Sequence, residues 1–352
     1  MSGALVYDDY LDLCKNNRIL GVKNKLSQIQ PSSIDLSISN ECYEINVSFL
    51  SPNSKVREKL KKISIKKIDL KKPKIFKKNK IYIVKLNQKL DLRNSIKGYC
   101  NPKSSTGRLN IFCRTILDYC DEYEKIPENY KGEMFIEITT RSFDIKFMEG
   151  DKLNQMRLVK KNNNYINDLN LLNIHKNNSL IFGTKKNFID NGLKISVDLS
   201  SNSKICAYVS KTTLSYINFS KINFYNKHEF WKPLKPKNKT LIIEKNKFYI
   251  LKSKEKIRIP INLAGEMVPY DTGIGDFRVH YAGFFDPGFG DPKGSYAVLE
   301  VKTNELPFQI EDGQTIARIK YEKLNKKTSV VYGKNINSNY QNQKLALSKH
   351  FK

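Results

Sequence analysis

The chain has 352 residues, of which 39% are hydrophobic and 11% aromatic. This is enough apolar side chain for two packed domains and argues against a disordered protein. The 62 basic and 35 acidic residues give a formal net charge of +27. Lysine is spread along the sequence together with asparagine and isoleucine, as in proteins from AT-rich genomes. The charge excess therefore follows from the composition and does not indicate nucleic-acid binding, which we do not expect, although a positive field would attract an anionic ligand.

The sequence predicts a cytoplasmic protein that does not bind membranes. No apolar run approaches the roughly 20 residues of a membrane-spanning helix. The N-terminal segment carries the acidic pair Asp8-Asp9 where a signal peptide would be basic and then apolar. The six cysteines include no CxxC pair, which indicates reduced, buried thiols and no disulfide framework.

The periodicity of the chain is mostly that of short strands. An amphipathic helix is expected near the start, at Leu5–Asn16, and a polar, asparagine-rich linker around Lys160–Asn178. Between and after them come apolar or alternating runs, in the order KIYIVKL, MFIEI, DIKFM, KFYILK, IRIPINL, YAVLEV and TIARIKY. The predicted fold class is therefore mainly β, with few short helices.

The chain contains an internal repeat. Three motifs recur at one spacing: Ser32–Ser37 as Ile195–Ser200 (198 − 35 = 163), Phe135–Ile138 as Val298–Val301 (300 − 137 = 163), and Glu149–Asp151 as Asp312–Gln314 (313 − 150 = 163). Each match is short and degenerate, but three on one offset predict a duplicated β unit at about 20–160 and 185–325.

The two copies differ in their polar motifs. Copy one carries Lys103-Ser104-Ser105-Thr106-Gly107-Arg108, where the same offset gives Glu266–Asp271 in copy two. Copy two carries Asp286-Pro287-Gly288-Phe289-Gly290, where copy one reads Tyr123–Pro127. The copies are therefore expected to contribute different groups to the function.

The Lys103–Arg108 segment collects groups that bind anions. It offers hydroxyls, backbone amides near a glycine, an ammonium and a guanidinium, which are the donors that phosphate oxygens accept. A plain turn with solvated basic side chains is equally compatible with these residues.

In copy two, Glu300 lies between Leu299 and Val301 in a predicted strand that follows the Asp286–Gly290 turn. Alternation places its side chain on the opposite face from those two neighbours. From the residues alone, this carboxylate is a solvent-exposed group, a partner of a lysine or a general base in a pocket.

Several motifs together resemble the dCTP deaminase family, in its long two-domain form, within the dUTPase-like superfamily. They are Gln30–Leu36, Ser104–Arg108, Phe285–Phe289 with Leu299-Glu300, Asp312–Ile316, and a tail that includes Tyr332-Gly333 and Ser338–Gln343. The resemblance implies two tandem dUTPase-like distorted β-barrels at 1–165 and 180–325. It also implies a flexible C-terminal tail at 326–352 that closes over the ligand as a lid.

The resemblance also assigns the site. The triphosphate binds at Lys103, Ser104, Ser105, Thr106, Gly107 and Arg108; the sugar and base lie against Asp286, Val298 and Leu299; and Tyr332, Asn339 and Gln343 belong to the lid. Lys103 stands where the family usually has arginine, so a bidentate contact with phosphate is expected to be weaker. Asn339 stands where lysine is common, so one phosphate contact of the family is not expected here. The magnesium ion is expected to bind through the nucleotide triphosphate.

The implied reaction is hydrolytic deamination of dCTP to dUTP, which feeds dUMP and dTTP synthesis. The H-x-E and P-C-x-x-C motifs of zinc deaminases do not occur in the sequence, and its four histidines lack metal-ligand spacing. A zinc-independent route is therefore expected. In it Glu300 is the base, Ser104 and the Ala282 carbonyl orient the water, and Arg108 stabilises developing charge. The site is expected to span both copies, with Glu137, the copy-one counterpart of Glu300, in a structural role.

Two alternatives remain open at this stage. The first is a dUTP diphosphatase or a bifunctional dCTP deaminase/dUTPase, which would share the fold. The second is a non-catalytic protein that binds nucleotides or nucleic acid. The resemblance also implies a homo-oligomer, with a trimer of two-barrel chains as the expected form.

Overall fold

The computed structural model describes residues 2–161, 165–183, 188–200, 205–268, 283–303, 306–334 and 340–352, and the backbone alone at 277–279. The chain divides into two compact units. Unit 1 comprises Met1–Asn163, Thr213–Asn223 and Leu324–Ser329, and unit 2 comprises Asn164–Thr212, Phe224–Lys323 and Val330–Lys352.

The described chain is mainly β, as the sequence predicts, with 47% of its residues in strands and 12% in helices. The strands are β1 (Gly3–Ala4), β2 (Ile19–Leu20), β3 (Ile29–Gln30), β4 (Ser33–Ile45), β5 (Ser64–Asp69), β6 (Lys74–Phe76), β7 (Ile81–Asp91), β8 (Ile96–Pro102), β9 (Ile111–Leu117), β10 (Lys125–Ile126), β11 (Lys131–Thr140), β12 (Asp144–Phe147), β13 (Lys152–Lys160), β14 (Ile181–Phe182), β15 (Leu193–Ser196), β16 (Ala207–Ser210), β17 (Tyr216–Asn218), β18 (Trp231–Leu234), β19 (Thr240–Ile243), β20 (Phe248–Ile257), β21 (Leu263–Val268), β22 (Phe277–Val279), β23 (Phe284–Phe285), β24 (Ser295–Thr303), β25 (Phe308–Glu311) and β26 (Thr315–Lys323). The helices are α1 (Tyr7–Lys15), α2 (Lys25–Gln28), α3 (Val56–Ile63), α4 (Ser104–Gly107), α5 (Asp168–Asn177) and α6 (Lys227–Phe230). None of the helices in the described part of the chain is long and apolar enough to cross a membrane.

Unit 1 is built on one large, nearly closed antiparallel sheet. Its main strands follow the order β10-β8-β13-β4-β7-β11-β9, with β1, β2, β3 and β5 paired along the side. A smaller sheet in the order β17-β12-β6 lies beside it, with β17 parallel to β12. Strands β7, β8 and β12 largely alternate buried and partly exposed residues, which is the pattern of a sheet with one face in a core. Strands β4, β11 and β13 instead contain longer runs of buried residues.

Unit 2 is also built from β-sheets, but its strands form several smaller sheets. One follows the order β18-β16-β20-β24-β22 with β14 beside β20, another follows β15-β26-β21-β23, and β19 pairs with β25. One continuous apolar core links them and includes Leu251, Ala297, Leu299, Val301 and Ile319, each fully buried. Truncating one of these leucines to alanine typically destabilises a protein by about 2–5 kcal/mol.

The structure confirms the duplication but corrects the single offset. Strands β13 and β26 keep the spacing of 163, from Lys152 to Thr315. In β4, however, the spacing is different. Ile38 exchanges backbone hydrogen bonds with Gly150 and Asp151, and Val197 makes the same pair of bonds with Gly313 and Gln314. Ile38 therefore corresponds to Val197, a spacing of 197 − 38 = 159. The sequence match of Asp35 with Asp198 is therefore wrong by four residues, which a short and degenerate motif could not reveal.

The correction also changes the comparison of the two polar motifs. Cys100 N–H donates to the Glu124 carbonyl as Met267 N–H donates to Gly283, so Glu124 corresponds to Gly283 (283 − 124 = 159). The counterpart of Asp286 is then Pro127 (286 − 159 = 127), not Tyr123. The counterparts of Lys103–Arg108 are residues 270–275 (267 − 100 = 167), outside the described residues. Copy one still lacks Asp-Pro-Gly, and copy two lacks the cationic residues of the turn.

Individual predictions meet different outcomes. The N-terminal helix is confirmed as α1, and most of the strand runs are strands. The IRIPINL run is not one strand, because β20 ends at Ile257 and a turn, closed by the Leu263 N–H on the Pro260 carbonyl, leads into β21 at Leu263. The predicted linker contains α5, whose Asn167 side chain caps the first turn and whose Leu171 is fully buried.

Candidate active site

The anion-binding segment predicted in copy one forms a single helical turn between β8 and β9. Thr106 and Gly107 amides donate to the Lys103 carbonyl at 2.8 and 3.0 Å, and the Arg108 amide donates to Ser104 at 3.0 Å. Lys103 and Ser104 are half-buried, whereas Ser105, Gly107 and Arg108 are buried. The turn thus brings all six predicted residues together within unit 1.

The base of the turn is anchored to strand β13. Leu153 is an extra residue between Lys152 and Asn154, a β-bulge in the pairing of β13 with β4. Its carbonyl accepts from the Lys103 amide at 2.9 Å and from the Thr106 hydroxyl at 2.8 Å. Thr106 is fully buried, so its side chain holds the turn in place.

The Lys103 ammonium is already paired with a carboxylate. It contacts Asp35 Oδ2 in β4, whose side chain is 4% exposed, and Asp35 Oδ1 has no hydrogen-bond partner in the described part of the chain. Burial lowers the pKa of the neighbouring Lys152, with Lys103 lowering it further and Asp35 opposing both. A phosphate bound at Lys103 would therefore share this ammonium with Asp35.

In unit 2, strand β24 orients Glu300 as the alternation predicts. Ala297, Leu299 and Val301 belong to the apolar core, while Tyr296, Val298 and Glu300 lie on the other face. Glu300 is 7% exposed and pairs across the sheet with Ile250. Leu299 is fully buried in the core, so a ligand on the Glu300 face would meet its backbone.

The Asp286–Gly290 turn joins strand β23 to the C-terminal tail. Gly288 has a left-handed φ of +94°, and its N–H donates to Ile259. The Pro287 carbonyl accepts from the Tyr332 amide at 2.9 Å, and the Tyr332 ring packs against Phe289 with centroids 5.8 Å apart. Asp286 itself is 7% exposed.

Two glutamines of the tail hold it to unit 2. Gln341 accepts from the Gly290 amide at 3.1 Å and donates to the Gly288 carbonyl at 3.4 Å. Gln343 donates to the Tyr296 carbonyl of β24 at 2.8 Å. In unit 2 the tail therefore contacts both the Asp286–Gly290 turn and strand β24, which carry predicted site residues. The contacts of Gln341 were not predicted from the sequence.

The last residues of the tail are packed. His350 is fully buried, its carbonyl accepts from the Phe224 and Tyr225 amides, and the Phe351 ring lies 5.6 Å from Phe230. The segment predicted to act as a lid is therefore attached to unit 2 at its C-terminal end.

Two lysines lie over the ring of Tyr296, and the sequence analysis did not predict them. The Lys252 ammonium lies 4.2 Å from the centre of its ring and 2.6 Å from Asp198, and Lys256 lies 5.4 Å from the ring. Cross-strand positions brought these lysines to the face that carries Glu300, and that register is not readable from spacing alone.

The remaining predicted residues, Ala282 and Asn339, lie outside the described residues. The Lys103–Arg108 turn belongs to unit 1 and Glu300 to unit 2, so their joining in one site stays a prediction. Within the described ranges, no group of three or more His, Cys, Asp or Glu side chains could hold a metal ion.

Comparisons with known proteins identify the family. The model of the 2'-deoxycytidine 5'-triphosphate deaminase N-terminal domain matches residues 1–162, and that of the C-terminal domain matches residues 167–351. The crystal structure of 2'-deoxycytidine 5'-triphosphate deaminase from Agrobacterium tumefaciens superposes with a TM-score of 0.90 at 34% identity, over 96% of this chain and 99% of that one. No curated protein sequence matches the chain. With both of its domains matched almost end to end, the chain belongs to the dCTP deaminase family.

Proposed function

We infer that this chain deaminates dCTP to dUTP and ammonia. The observation that carries the inference is that the N-terminal and C-terminal domain models of the family each match one half of the chain. Each half also retains its own polar motif. The first half contributes the Lys103–Arg108 turn and the second contributes the Asp286 turn followed by Glu300.

The proposed chemistry needs an activated water because C4 of cytosine is a weak electrophile. Glu300 accepts a proton from water as its oxygen attacks C4, and passes that proton to N3. The second proton of the added water moves to the exocyclic amine, the C4–N bond breaks, and ammonia leaves a uracil ring. Arg108 stabilises the negative charge that develops on the way, while Ser104 and the Ala282 carbonyl orient the water.

The proposed role of the turn is to bind the triphosphate. Its hydroxyls, amides, ammonium and guanidinium donate to phosphate oxygens. These groups are poor ligands for Mg²⁺, which prefers oxygens of carboxylates, phosphates and water. This donor set fits an ion carried by the triphosphate, where it would neutralise phosphate charge.

The alternative within the family fold is hydrolysis of dUTP, alone or after deamination. Purified protein is incubated separately with dCTP and dUTP, and ammonia, pyrophosphate and nucleotides are quantified. Ammonia with stoichiometric dUTP supports the proposal. Pyrophosphate from dUTP with untouched dCTP would replace it with a dUTP diphosphatase, and dUMP from dCTP would make the enzyme bifunctional.

A second experiment tests whether both halves contribute to one site. Glu300→Gln is expected to bind dCTP but lose turnover, and Arg108→Ala to lose turnover as well. We propose a cytoplasmic homo-oligomer, so the two variants are co-expressed with different tags and purified as mixed assemblies. Recovered activity indicates a site formed between chains, because some sites then carry both intact groups. No recovery indicates a site within one chain, and single variants with full activity would refute the assignment.

A further inference from the structure

A polar cluster in unit 1 begins at Asn154, the residue after the β-bulge that anchors the Lys103–Arg108 turn. Asn154 is fully buried and its Nδ2 donates to Thr115 Oγ1 at 2.9 Å and to Glu124 Oε2 at 3.2 Å. The Asn154 Oδ1 accepts from the Gln155 amide at 3.0 Å. One side-chain amide thus links β13, β9 and the residue that precedes β10.

The cluster is directly connected to the anchor of the turn. Asn154 follows Leu153, the bulged residue whose carbonyl receives both the Lys103 amide and the Thr106 hydroxyl. The orientation of that carbonyl depends on the backbone at Leu153-Asn154, and the backbone there is held by the Asn154 side chain. A bulge needs such support because its extra residue is not fixed by the regular strand ladder.

The second copy of the fold provides an internal comparison. Strand β26 carries the same bulge, at Ile316 between Thr315 and Ala317. There the counterpart of Asn154 is Ala317, and the counterpart of Glu124 is Gly283, which has no side chain. The polar cluster therefore occurs in the copy with the cationic turn, and the copy without that turn has small apolar residues instead.

We propose that Glu124 and Asn154 are positioning residues that set the geometry of the Lys103–Arg108 turn for the triphosphate. The inference rests on the proposed function of that turn. In this proposal both residues act on the turn indirectly, through the backbone that carries the Leu153 carbonyl, and Asn154 is fully buried. The cluster deepens the proposed function by adding groups that the sequence motifs do not contain.

The Glu124 carboxyl makes this support sensitive to pH. Burial raises the pKa of Glu124 to about 7, against the lowering effect of the hydrogen bonds from Asn154 and Thr115. Its other neighbours are the Arg114 guanidinium and the Cys100 thiol, and burial keeps the pKa of Cys100 well above 9. Between pH 6 and 8 Glu124 is thus the group of this cluster that changes charge, and its ionisation adds a negative charge to the support of a turn that is proposed to bind phosphate.

The test compares wild type with Asn154→Ala, which installs the copy-two residue, and Glu124→Gln, which keeps the hydrogen bonds without the charge. Tyr130→Phe is the control, because the Tyr130 hydroxyl donates to the Glu133 carbonyl and accepts from the Asp118 amide in the same unit, and neither bond involves the cluster or the turn. Steady-state dCTP turnover is measured from pH 6 to 9. Wild-type KM should rise about tenfold across that range, Glu124→Gln should give a flat, low KM, and Asn154→Ala should raise KM about tenfold at every pH.

Amide hydrogen exchange at Gly107 and Arg108, measured without nucleotide, separates this inference from the proposed function. Asn154→Ala should accelerate that exchange at least tenfold, and Tyr130→Phe should leave it unchanged. Unaltered exchange in Asn154→Ala, or a wild-type pH profile in Glu124→Gln, would overturn the positioning role even if the enzyme deaminates dCTP. Accelerated exchange in a protein without deaminase activity would support the positioning role and refute the function.

Discussion

The Arg114 guanidinium lies 2.6 Å from the Glu137 carboxylate, across strands β9 and β11. Glu137 is the copy-one counterpart of Glu300 and is 1% exposed. Arg114 is stacked on the Tyr123 ring at 3.7 Å and lies 4.6 Å from Phe112. The glutamate in the first copy is therefore neutralised by a fixed cation, which agrees with the structural role expected from the sequence.

Replacing Glu137 by Gln should affect stability and spare catalysis. The variant leaves the partly buried Arg114 without its counter-ion, and we expect a loss of about 2 kcal/mol in the free energy of unfolding. Urea unfolding measures that loss, while dCTP turnover per folded molecule stays at the wild-type level. Glu300→Gln is the matched comparison and should lower kcat by about 10²–10⁴-fold. Equal losses of turnover in the two variants would argue against this division of roles.

Lys103 should be coupled energetically to Asp35. Lys103→Met leaves the buried Asp35 carboxylate unpaired and is expected to destabilise the protein by about 3 kcal/mol. Adding Asp35→Asn to that variant should recover at least 1 kcal/mol, because the buried charge is removed. A double-mutant cycle from urea unfolding measures the coupling. Additive effects in the cycle would show that the contact contributes nothing to stability.

The alternation of strand β24 shows what could be predicted from sequence. Periodicity of two fixes which side chains share a face, so Glu300 was separated correctly from Leu299 and Val301. The Lys103–Arg108 segment stands out by its composition and forms one helical turn, while its binding of anions stays a prediction. Both features depend on residues that are close in sequence, so they can be recognised without knowledge of the fold.

The missed features depend on residues far apart in the chain. Asp35 meets Lys103 across 68 positions and Gln341 meets Gly290 across 51, and neither spacing has a periodic signature. The repeat was found, but its register was wrong by four residues at the first strand, because insertions in the connecting segments shift one strand without altering the next. The apolar residues within LALSKHF, close to the end of the tail, are the local signal that this polar segment ends in a packed region.

Acid should weaken unit 1 through Glu133. The Arg57 side chain, at 2.5 Å, and Lys85, at 2.9 Å, hold the pKa of this carboxyl at about 2, against the opposing effect of burial. Because its pKa is lowered in the folded state, the stabilisation is present above pH 4.5 and is lost as the pH falls towards 2. Glu133→Gln should be less stable than wild type by about 1 kcal/mol at pH 7, a partly exposed pair being screened by solvent. Urea unfolding of both proteins should show that this difference in the free energy of unfolding is smaller at pH 3 than at pH 7. An equal difference at the two pH values would contradict the assigned ion pair.

The tail should be displaced by a single methyl group at Gly288. A Cβ there would lie 2.3 Å from Val331 Cγ1 and 3.1 Å from the Tyr332 carbonyl oxygen, so Gly288→Ala must push the start of the tail away from the Asp286 turn. Gly313→Ala is the control, because Gly313 also has a left-handed φ, +81°, but its Cβ would meet only the flexible Lys254 ammonium at 3.9 Å. Both variants should lose about 1–2 kcal/mol of stability from backbone strain. If the tail closes over the nucleotide, Gly288→Ala alone should raise the KM for dCTP, by about tenfold for each 1.4 kcal/mol of lost tail contact. An equal KM in the two variants would mean that Tyr332 and the residues after it do not contribute to nucleotide binding.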